Sequence, residues 1–345
     1  MIYIHVPFCH RKCTYCAFYS VRSSEFGVRN YVEALLREME ERKGEQAHPI
    51  KTVYFGGGTP SILPIDLLAR IVEGLRRCFG LSQVEEVTLE ANPEDLTPEY
   101  LASLRTLGVN RLSVGIQSLD DKVLRLLNRR HTAQQALEAV ENAHRAGFDN
   151  ISVDFIYGIK DLKDFKVFKD MVSHVSVYAL AVEPGTALAV QVEQGRVTLP
   201  GEEVVVRQYH ALHRQLEEAG FRQYEVSNYA RPGFESKHNS RYWDRTPYLG
   251  LGPGAHSFDG KKRQWNNPDG TVGEETLTEA DAYNELLMTS LRTVRGLPAE
   301  VVAKGQKEKL QPYLDCSWLV FQDGFYRPTT EGLLHADGMA AALFV

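Results

Sequence analysis

The sequence has little cysteine, and what it has is unevenly placed. Of five cysteines, Cys9, Cys13 and Cys16 share one short stretch, while Cys78 and Cys316 stand alone. An odd count without a second C-x2-C-type pair excludes the disulfide framework of a small secreted domain. It also leaves no four-cysteine zinc ribbon. A zinc site of three cysteines completed by His5 or His10 stays compatible with the spacing.

Other absences narrow the class further. No run approaches the roughly 18 apolar residues of a membrane span. The opening residues lack the basic segment and long apolar core of a secretory signal, so none is expected. Positive charge is not in excess. The net charge is −6 and the isoelectric point near 6.0, which argues against a general nucleic-acid binder. No G-x-G-x-x-G follows the first strand, so a dinucleotide-binding Rossmann opening is excluded. Repeats of short period and low-complexity segments are missing too. The remainder is ordinary for a globular chain: 43% hydrophobic and 24% charged residues in 345, enough for one large α/β domain and a smaller one.

What stands out is the beginning. Met1-Ile-Tyr-Ile-His-Val-Pro-Phe-Cys9-His-Arg-Lys-Cys13-Thr-Tyr-Cys16 runs from a short apolar strand into a loop with the spacing C-x3-C-x2-C. Three thiolates on one loop hold three irons of a [4Fe–4S] cluster and leave the fourth open, and an open metal position is where chemistry occurs. A second apolar run, Thr52–Phe55, leads straight into Gly56-Gly57-Gly58-Thr59-Pro60. Three successive glycines exceed what a turn requires, and they let a ligand approach the backbone closely.

Strand and helix patterns then alternate. Strands are expected at 86–90, 111–116, 151–156 and 175–180. Helices are expected at 30–43, 64–79, 97–107, 120–127 and 132–146, with a short helical segment at 161–171. Six β-then-α units imply a parallel sheet covered by helices. In a barrel of this kind the active site lies at the carboxyl ends of the strands. The cysteines, Gly56–Thr59, Glu90, Gln117, Asp154 and Glu183 all fall at those ends or close to them, so they are expected to converge on one mouth.

The cysteine spacing closely resembles that of the radical S-adenosylmethionine (SAM) superfamily. The rest of the first half resembles its coproporphyrinogen-oxidase-like branch. The resemblance implies a partial (β/α)6 TIM-type barrel with a small, mainly helical C-terminal domain. It implies a [4Fe–4S] cluster on Cys9, Cys13 and Cys16 that binds SAM through its open iron and cleaves it reductively. It implies SAM contacts at Gly57, Gly58 and Thr59 of the glycine turn and at Tyr3, Glu90, Gln117, Arg129 and Asp154. The motifs that carry these are Tyr3-Ile-His-Val-Pro-Phe-Cys9, Leu89-Glu-Ala-Asn-Pro93, Ser113-Val-Gly-Ile-Gln117, Asn128-Arg-Arg-His131 and Ser152-Val-Asp154. One departure is Tyr157-Gly-Ile-Lys-Asp161, which lacks the Pro-Gly-Gln-Thr-like loop usual in the branch and leads into a shortened helix.

Beyond Gly185 the rhythm changes. A helix is expected at 202–219, a strand at 222–229, loops from 230 to 267, a linker between 267 and 279, a helix at 281–293 and a hairpin at 319–327. This gives three parts: a cluster-bearing barrel over 1–184, an extension over 185–270 and a C-terminal unit over 271–345. The extension contains His238-Asn-Ser-Arg-Tyr242-Trp243. A neutral imidazole there could ligate heme iron. Tyr242 and Trp243 offer flat surface for a porphyrin, and Lys237, Arg241 and Arg231 could pair with propionates.

Two activities in the branch compete: oxygen-independent coproporphyrinogen III oxidation and heme chaperoning. The oxidases carry an extension ahead of the cysteine loop, where this sequence has Tyr3 as its third residue. They also continue to a fourth cysteine, where Phe18 stands here. The H-N-x-x-Y-W stretch is typical of the heme chaperones. The expectation is therefore a cytoplasmic protein that binds heme, the cluster and SAM and passes heme to acceptor proteins. Coproporphyrinogen oxidase activity is not expected. Nucleic acid is not an expected partner. Peripheral membrane association and a homodimer are among the partner expectations.

Overall fold

A computed structural model of the chain describes residues 1–45, 49–159 and 165–345. The six expected strands form as β1 (Ile2–Val6), β2 (Thr52–Gly57), β3 (Glu86–Ala91), β4 (Arg111–Gln117), β5 (Asn150–Tyr157) and β6 (His174–Ala179). They pair in parallel in sequence order. Alternation sorts each strand into two faces. Val53, Phe55, Leu89, Leu112, Val114, Ile151 and Val153 are buried against the helices in the main core. The intervening residues are polar and share the inner face, as the pairs Tyr54–Glu90, Ser113–Asp154 and Ser152–His174 show. An apolar outer layer therefore wraps a polar interior, the reverse of an ordinary packed barrel centre.

The helices that complete these units are α1 (Glu25–Arg42), α2 (Ile65–Phe79), α3 (Pro98–Leu107), α4 (Asp121–Leu126) and α5 (Ala133–Arg145). Their starts are fixed by caps. Thr97 accepts from the Tyr100 N–H, and Thr132 with Gln135 forms a capping box. Helix α1 begins five residues before the expected Asn30, because Ser24 caps it by accepting from the Gly27 N–H. The expected helix at 161–171 lies partly outside the described residues; within them Phe165–Phe168 makes one 3-10 turn.

After α6 (Ala187–Glu193) and α7 (Glu202–Glu218), the expected strand 222–229 is instead a tight hairpin. Its strands are β7 (Arg222–Gln223) and β8 (Asn228–Ala230), and β8 pairs antiparallel with β6. The Glu225 side chain accepts from the Ser227 N–H and turns the chain there. On the opposite edge, beyond α8 (Lys237–Trp243), the stretch expected to be loop contributes β9 (Leu249–Leu251), parallel to β1. Three residues are too few for a period to show. Gly250 marks the strand instead, since a Cβ there would lie 1.9 Å from the His256 carbonyl oxygen. Among the described residues the sheet thus has nine strands in the order β9-β1-β2-β3-β4-β5-β6-β8-β7.

The stretch expected as a linker holds the turn and second strand of the hairpin Lys262–Asn266 and Val272–Thr276. The expected boundary at 270/271 falls inside that turn. A separate core gathers Leu287, Leu291, Leu297, Leu310, Leu319 and Met339 beyond it. Its main helix, α9 (Glu279–Leu291), and the hairpin Leu319–Gln322 with Phe325–Pro328 lie where the sequence predicts them.

Candidate cofactor site at the barrel mouth

The cysteine loop leaves the end of β1 and is fastened at three points. Phe8 and Cys9 pair with Val21 and Arg22, closing the loop on itself. The Thr14 hydroxyl donates to the Leu126 carbonyl at 2.9 Å, and Asn128 Nδ2 donates to the Lys12 carbonyl at 2.8 Å. Asn128 has φ +60°, a conformation that asparagine tolerates better than most residues. The cysteines are free thiols, each partly accessible.

Two polar groups from other strands reach their sulfurs. Thr59 Oγ1 lies 3.5 Å from Cys9 Sγ, and Arg129 Nη1 lies 3.5 Å from Cys13 Sγ. Donors to sulfur stabilise thiolates and cluster sulfides. Arg129 is held by Asn92 Oδ1 at 2.6 Å and the Gly115 carbonyl at 2.5 Å, while its buried Nε has no hydrogen-bond partner among the described residues. Among those residues no three His, Cys, Asp or Glu side chains converge tightly enough for a single metal ion. His5 is engaged with the Tyr3 hydroxyl and the Tyr19 carbonyl, and His10 with Ser23. A zinc site therefore finds no assembled ligand set, whereas a multi-iron cluster spreads its ligands apart. The free thiols, the sulfur-directed donors and the unpartnered guanidinium nitrogen fit a sulfide-rich, anion-bearing group.

The glycine turn is shaped by packing. A Cβ at Gly56 would crowd Tyr3, Tyr54 and Glu90. At Gly57, where φ is +113°, it would strike the His5 ring, and at Gly58 it would lie 2.5 Å from the Phe8 carbonyl oxygen. The turn therefore lets β2 press against β1 and the cysteine loop. Its N–H groups are already used: Gly57 donates to Glu90 Oε2 at 3.2 Å and Gly58 to the Val6 carbonyl at 2.8 Å. What the rim leaves for a ligand is chiefly acceptors, which suits an ammonium group better than a phosphate.

Glu90 accepts from the Tyr54 hydroxyl at 2.8 Å. Burial, reinforced by the nearby Asp154 charge, pushes its carboxyl up to about 7. Asp154 is also raised by burial, and Ser113 donates to it at 3.3 Å. Gln117 ends β4 with φ +68°, just past a break in register between Gly115 and Gln117. Bulges and left-handed residues of this kind gather at ligand sites. Tyr3, Gly57 and Glu90 thus form one side of the mouth, with Thr59 and Cys9 beside them. Gln117, Arg129 and Cys13 form another side around Gly115. Asn92 bridges the two, donating to Thr59 Oγ1 at 3.4 Å and accepting from Arg129. Sequence reasoning quoted the Leu89-Glu-Ala-Asn-Pro93 motif but passed over Asn92 itself, and it assigned no role to Asn128.

The H-N-x-x-Y-W stretch lies at the other end of the strands. His238 is fully buried. Its Nδ1 pairs with Thr52 Oγ1 at 2.9 Å and its Nε2 with the Tyr242 hydroxyl at 3.1 Å. Burial drives it down to about 3, so the ring is neutral. The His238 ring, expected from the sequence to ligate heme, is thus closed off from solvent with both of its nitrogens engaged. Tyr242 packs edge-on against Tyr248 at 4.9 Å. Trp243 faces a cleft of about 320 Å³ shared with Arg295 and Pro298. Two of the expected propionate partners are engaged elsewhere: Lys237 pairs with Glu85 at 3.2 Å, and Arg231 lies over the Phe221 ring.

Comparison with known proteins fits this architecture. The radical SAM superfamily matches residues 3–171. The heme chaperone HemW of Mycobacterium tuberculosis is 35% identical, with 99% of this chain and 94% of that protein covered. The chain belongs to the HemW family of radical SAM proteins. A HemW of Lactococcus lactis is 33% identical over 86% of this chain and 83% of its own. Radical S-adenosyl methionine domain-containing protein 1, mitochondrial, of Danio rerio is 38% identical over 100% of this chain and 86% of its own. Among solved structures, coproporphyrinogen III oxidase (HemN) of Escherichia coli superposes with a TM-score of 0.83 at 21% identity, covering 100% of this chain and 89% of that one. That likeness establishes the fold, a radical SAM TIM-type barrel. Membership in the superfamily implies SAM and a [4Fe–4S] cluster as cofactors. No helix among the described residues is long and apolar enough to cross a membrane.

Proposed function

We propose that the chain is a heme chaperone that binds heme, a [4Fe–4S] cluster and SAM and delivers heme to acceptor proteins. The observation that carries this reading is its match, at 33–35% identity over most of both chains, to curated HemW heme chaperones. Phe18, 71% exposed where the oxidases place a further cysteine, supports it.

In this proposal Cys9, Cys13 and Cys16 hold the cluster. Arg129 and Thr59 donate toward its sulfur ligands and steady their charge. Glu90, lifted toward neutrality by burial and by Asp154 and held in place by the Tyr54 hydroxyl, accepts from the SAM ammonium. The rim of Gly57 and Gly58 admits that group closely, while Tyr3, Gln117 and Asp154 line the adenosyl side. When bound, the cluster supplies a low-potential electron next to the SAM sulfonium. Heme occupies a further site and leaves to a cytoplasmic acceptor. Membrane-associated acceptors and a homodimer belong to the same proposal.

A side-by-side assay tests the function. Anaerobically reconstituted protein is given coproporphyrinogen III with SAM and a reductant, and separately hemin followed by an apo-acceptor. Transfer of heme without accumulation of protoporphyrinogen IX is expected. Protoporphyrinogen IX formation, with no heme transferred, would overturn the proposal in favour of the oxidase.

A further inference from the structure

We infer that the outer face of the cysteine loop is the heme site, with His10 as the axial ligand and Arg11, Lys12 and Arg22 as partners for the propionates. The inference rests on the heme-chaperone reading and locates the ligand within it.

The loop that carries the cluster ligands has two sides. One faces the barrel mouth. The other opens into a cleft of about 420 Å³ lined by Cys9, His10, Arg11, Lys12, Val21 and Arg22. His10 also borders a second cleft of about 410 Å³, whose walls include Ile62, Leu63, Pro64, Ile65 and Tyr100. The imidazole therefore stands on a ridge between a basic hollow and a mixed one, whose apolar wall comes from residues 62–65 and Tyr100. Heme asks for that combination: an imidazole for the iron, an apolar floor for the macrocycle, and cations at one edge for two carboxylates.

The ring is prepared for ligation. Ser23 Oγ lies 3.0 Å from His10 Nδ1 and fixes the ring's orientation, and Nε2 has no partner among the described residues. A histidine that ligates metal through one nitrogen is usually held by a hydrogen bond at the other. The Cys9–Arg22 pairing sets the guanidinium beside the ridge. None of Arg11, Lys12 and Arg22 forms an ion pair with a carboxylate among the described residues. Three unpaired cations on one loop are notable in a chain of net charge −6. Phe18 and Phe26, 71% and 77% exposed, and Val21 at 40%, add uncovered apolar surface on the same segment. The second cleft carries Asp95 and Glu99. These would repel propionates, so the macrocycle is oriented with its carboxylates toward Arg22 and its apolar edge toward Ile62 and Ile65.

Hemin titration of the reconstituted, cluster-bearing protein under argon tests this, read by Soret difference spectra and ferric-heme electron paramagnetic resonance. His10→Gln keeps a polar group near Ser23 but offers no imidazole. It is expected to lose the histidine-ligated signature and to weaken hemin binding about tenfold. Added imidazole should restore the signature. Arg22→Ala combined with Lys12→Ala should weaken binding about three- to tenfold while the signature stays. Iron and sulfide analysis of each variant separates loss of heme from loss of the cluster. His256, which stacks on Trp265 at 6.0 Å, is the competing ligand. If His256→Gln removes the signature and His10→Gln does not, the site is elsewhere and the inference falls, while the chaperone function stands. If the wild-type protein takes up no hemin, the function itself fails and the inference with it.

Discussion

The surroundings of His238 and the mouth of the barrel bury polar groups in opposite ways. Around His238, at the floor, the groups are matched, although the nearby Arg111 keeps two nitrogens without a partner among the described residues. The Glu86 carboxylate accepts the backbone N–H groups of Lys237 and His238 at 3.0 and 2.9 Å, and both His238 nitrogens are paired. At the mouth the matching is incomplete. Arg129 keeps an unpartnered nitrogen, Gln117 sits in a left-handed conformation, and two carboxylates are raised by burial. Buried polar groups that satisfy one another hold a fold together. Those left short of partners mark where something else belongs. By that criterion His238, within the more suggestive motif His238-Asn-Ser-Arg-Tyr-Trp243, holds the fold together at the floor. At the mouth such groups flank the cysteine loop, which is why we propose it as the cofactor site.

The sharpest way to break this contrast is to damage one end and watch the other. Cys13→Ala should abolish the cluster, taking reconstituted iron from about four per chain to below about one. The stability of the cluster-free protein to urea should change by less than about 0.5 kcal/mol, because Cys13 carries no core packing. Retention of the iron would remove the cysteine loop from the cofactor site. His238→Ala attacks the floor. It leaves a cavity and strips partners from Thr52 and Tyr242, so a loss of about 2–4 kcal/mol in urea unfolding is expected. Iron content per folded chain should not move. A His238→Ala protein as stable as wild type would mean that His238 is free to act as a ligand.

Most of the barrel was legible in the sequence for a physical reason. Its six central strands and five helices carry long, regular periods, and their apolar faces all report to one core. The cysteine spacing was legible because three thiolates on one loop have few other uses. What was not legible was short or non-local. Strand β9 is three residues long and is defined by what touches Gly250. The 222–229 hairpin depends on where the Glu225 side chain points. The partners of His238 were not legible, because sequence shows the aromatic and basic neighbours of a histidine but not that Thr52, far along the chain, engages one of its ring nitrogens. His10 entered the sequence reading only as a possible zinc ligand, because the cleft that sets it beside Ile62 and Tyr100 joins segments far apart in the chain.

A third prediction tests the mouth through the glycine turn. Gly58→Ala would push a methyl to 2.5 Å from the Phe8 carbonyl oxygen, which belongs to backbone and cannot swing away. The strand carrying Cys9 must shift. A destabilisation of about 1–3 kcal/mol is expected, together with faster loss of iron on dilution. Gly201→Ala is the control, since no atom lies within 4 Å of its Cβ position and its φ of −69° suits any residue. If the two variants lose iron at the same rate, the turn does not brace the cluster loop.

The smallest effect concerns pH and reads the mouth alone. The Glu90 carboxyl rises from its ordinary 4.5 to about 7 in the folded protein, chiefly through burial and then through Asp154. A carboxyl raised by folding binds more protons folded than unfolded. Its contribution to stability is therefore greatest at low pH and falls as pH climbs from about 4.5 toward about 7. The cofactor-free protein should show that slope, and Glu90→Gln should flatten it. SAM binding should run the other way. An ammonium favours the ionised carboxylate, so affinity should rise about tenfold per unit as pH approaches about 7 and then level off. Calorimetric titration of the reconstituted protein in buffers of different ionisation enthalpy should register proton release on binding below pH 7. In Glu90→Gln the release should vanish and the affinity should become weaker and nearly independent of pH. A wild-type affinity already flat from pH 6 to 8 would show that Glu90 is ionised before SAM arrives. The carboxylate of the mouth would then be compensated in the free protein as fully as the His238 ring is at the floor.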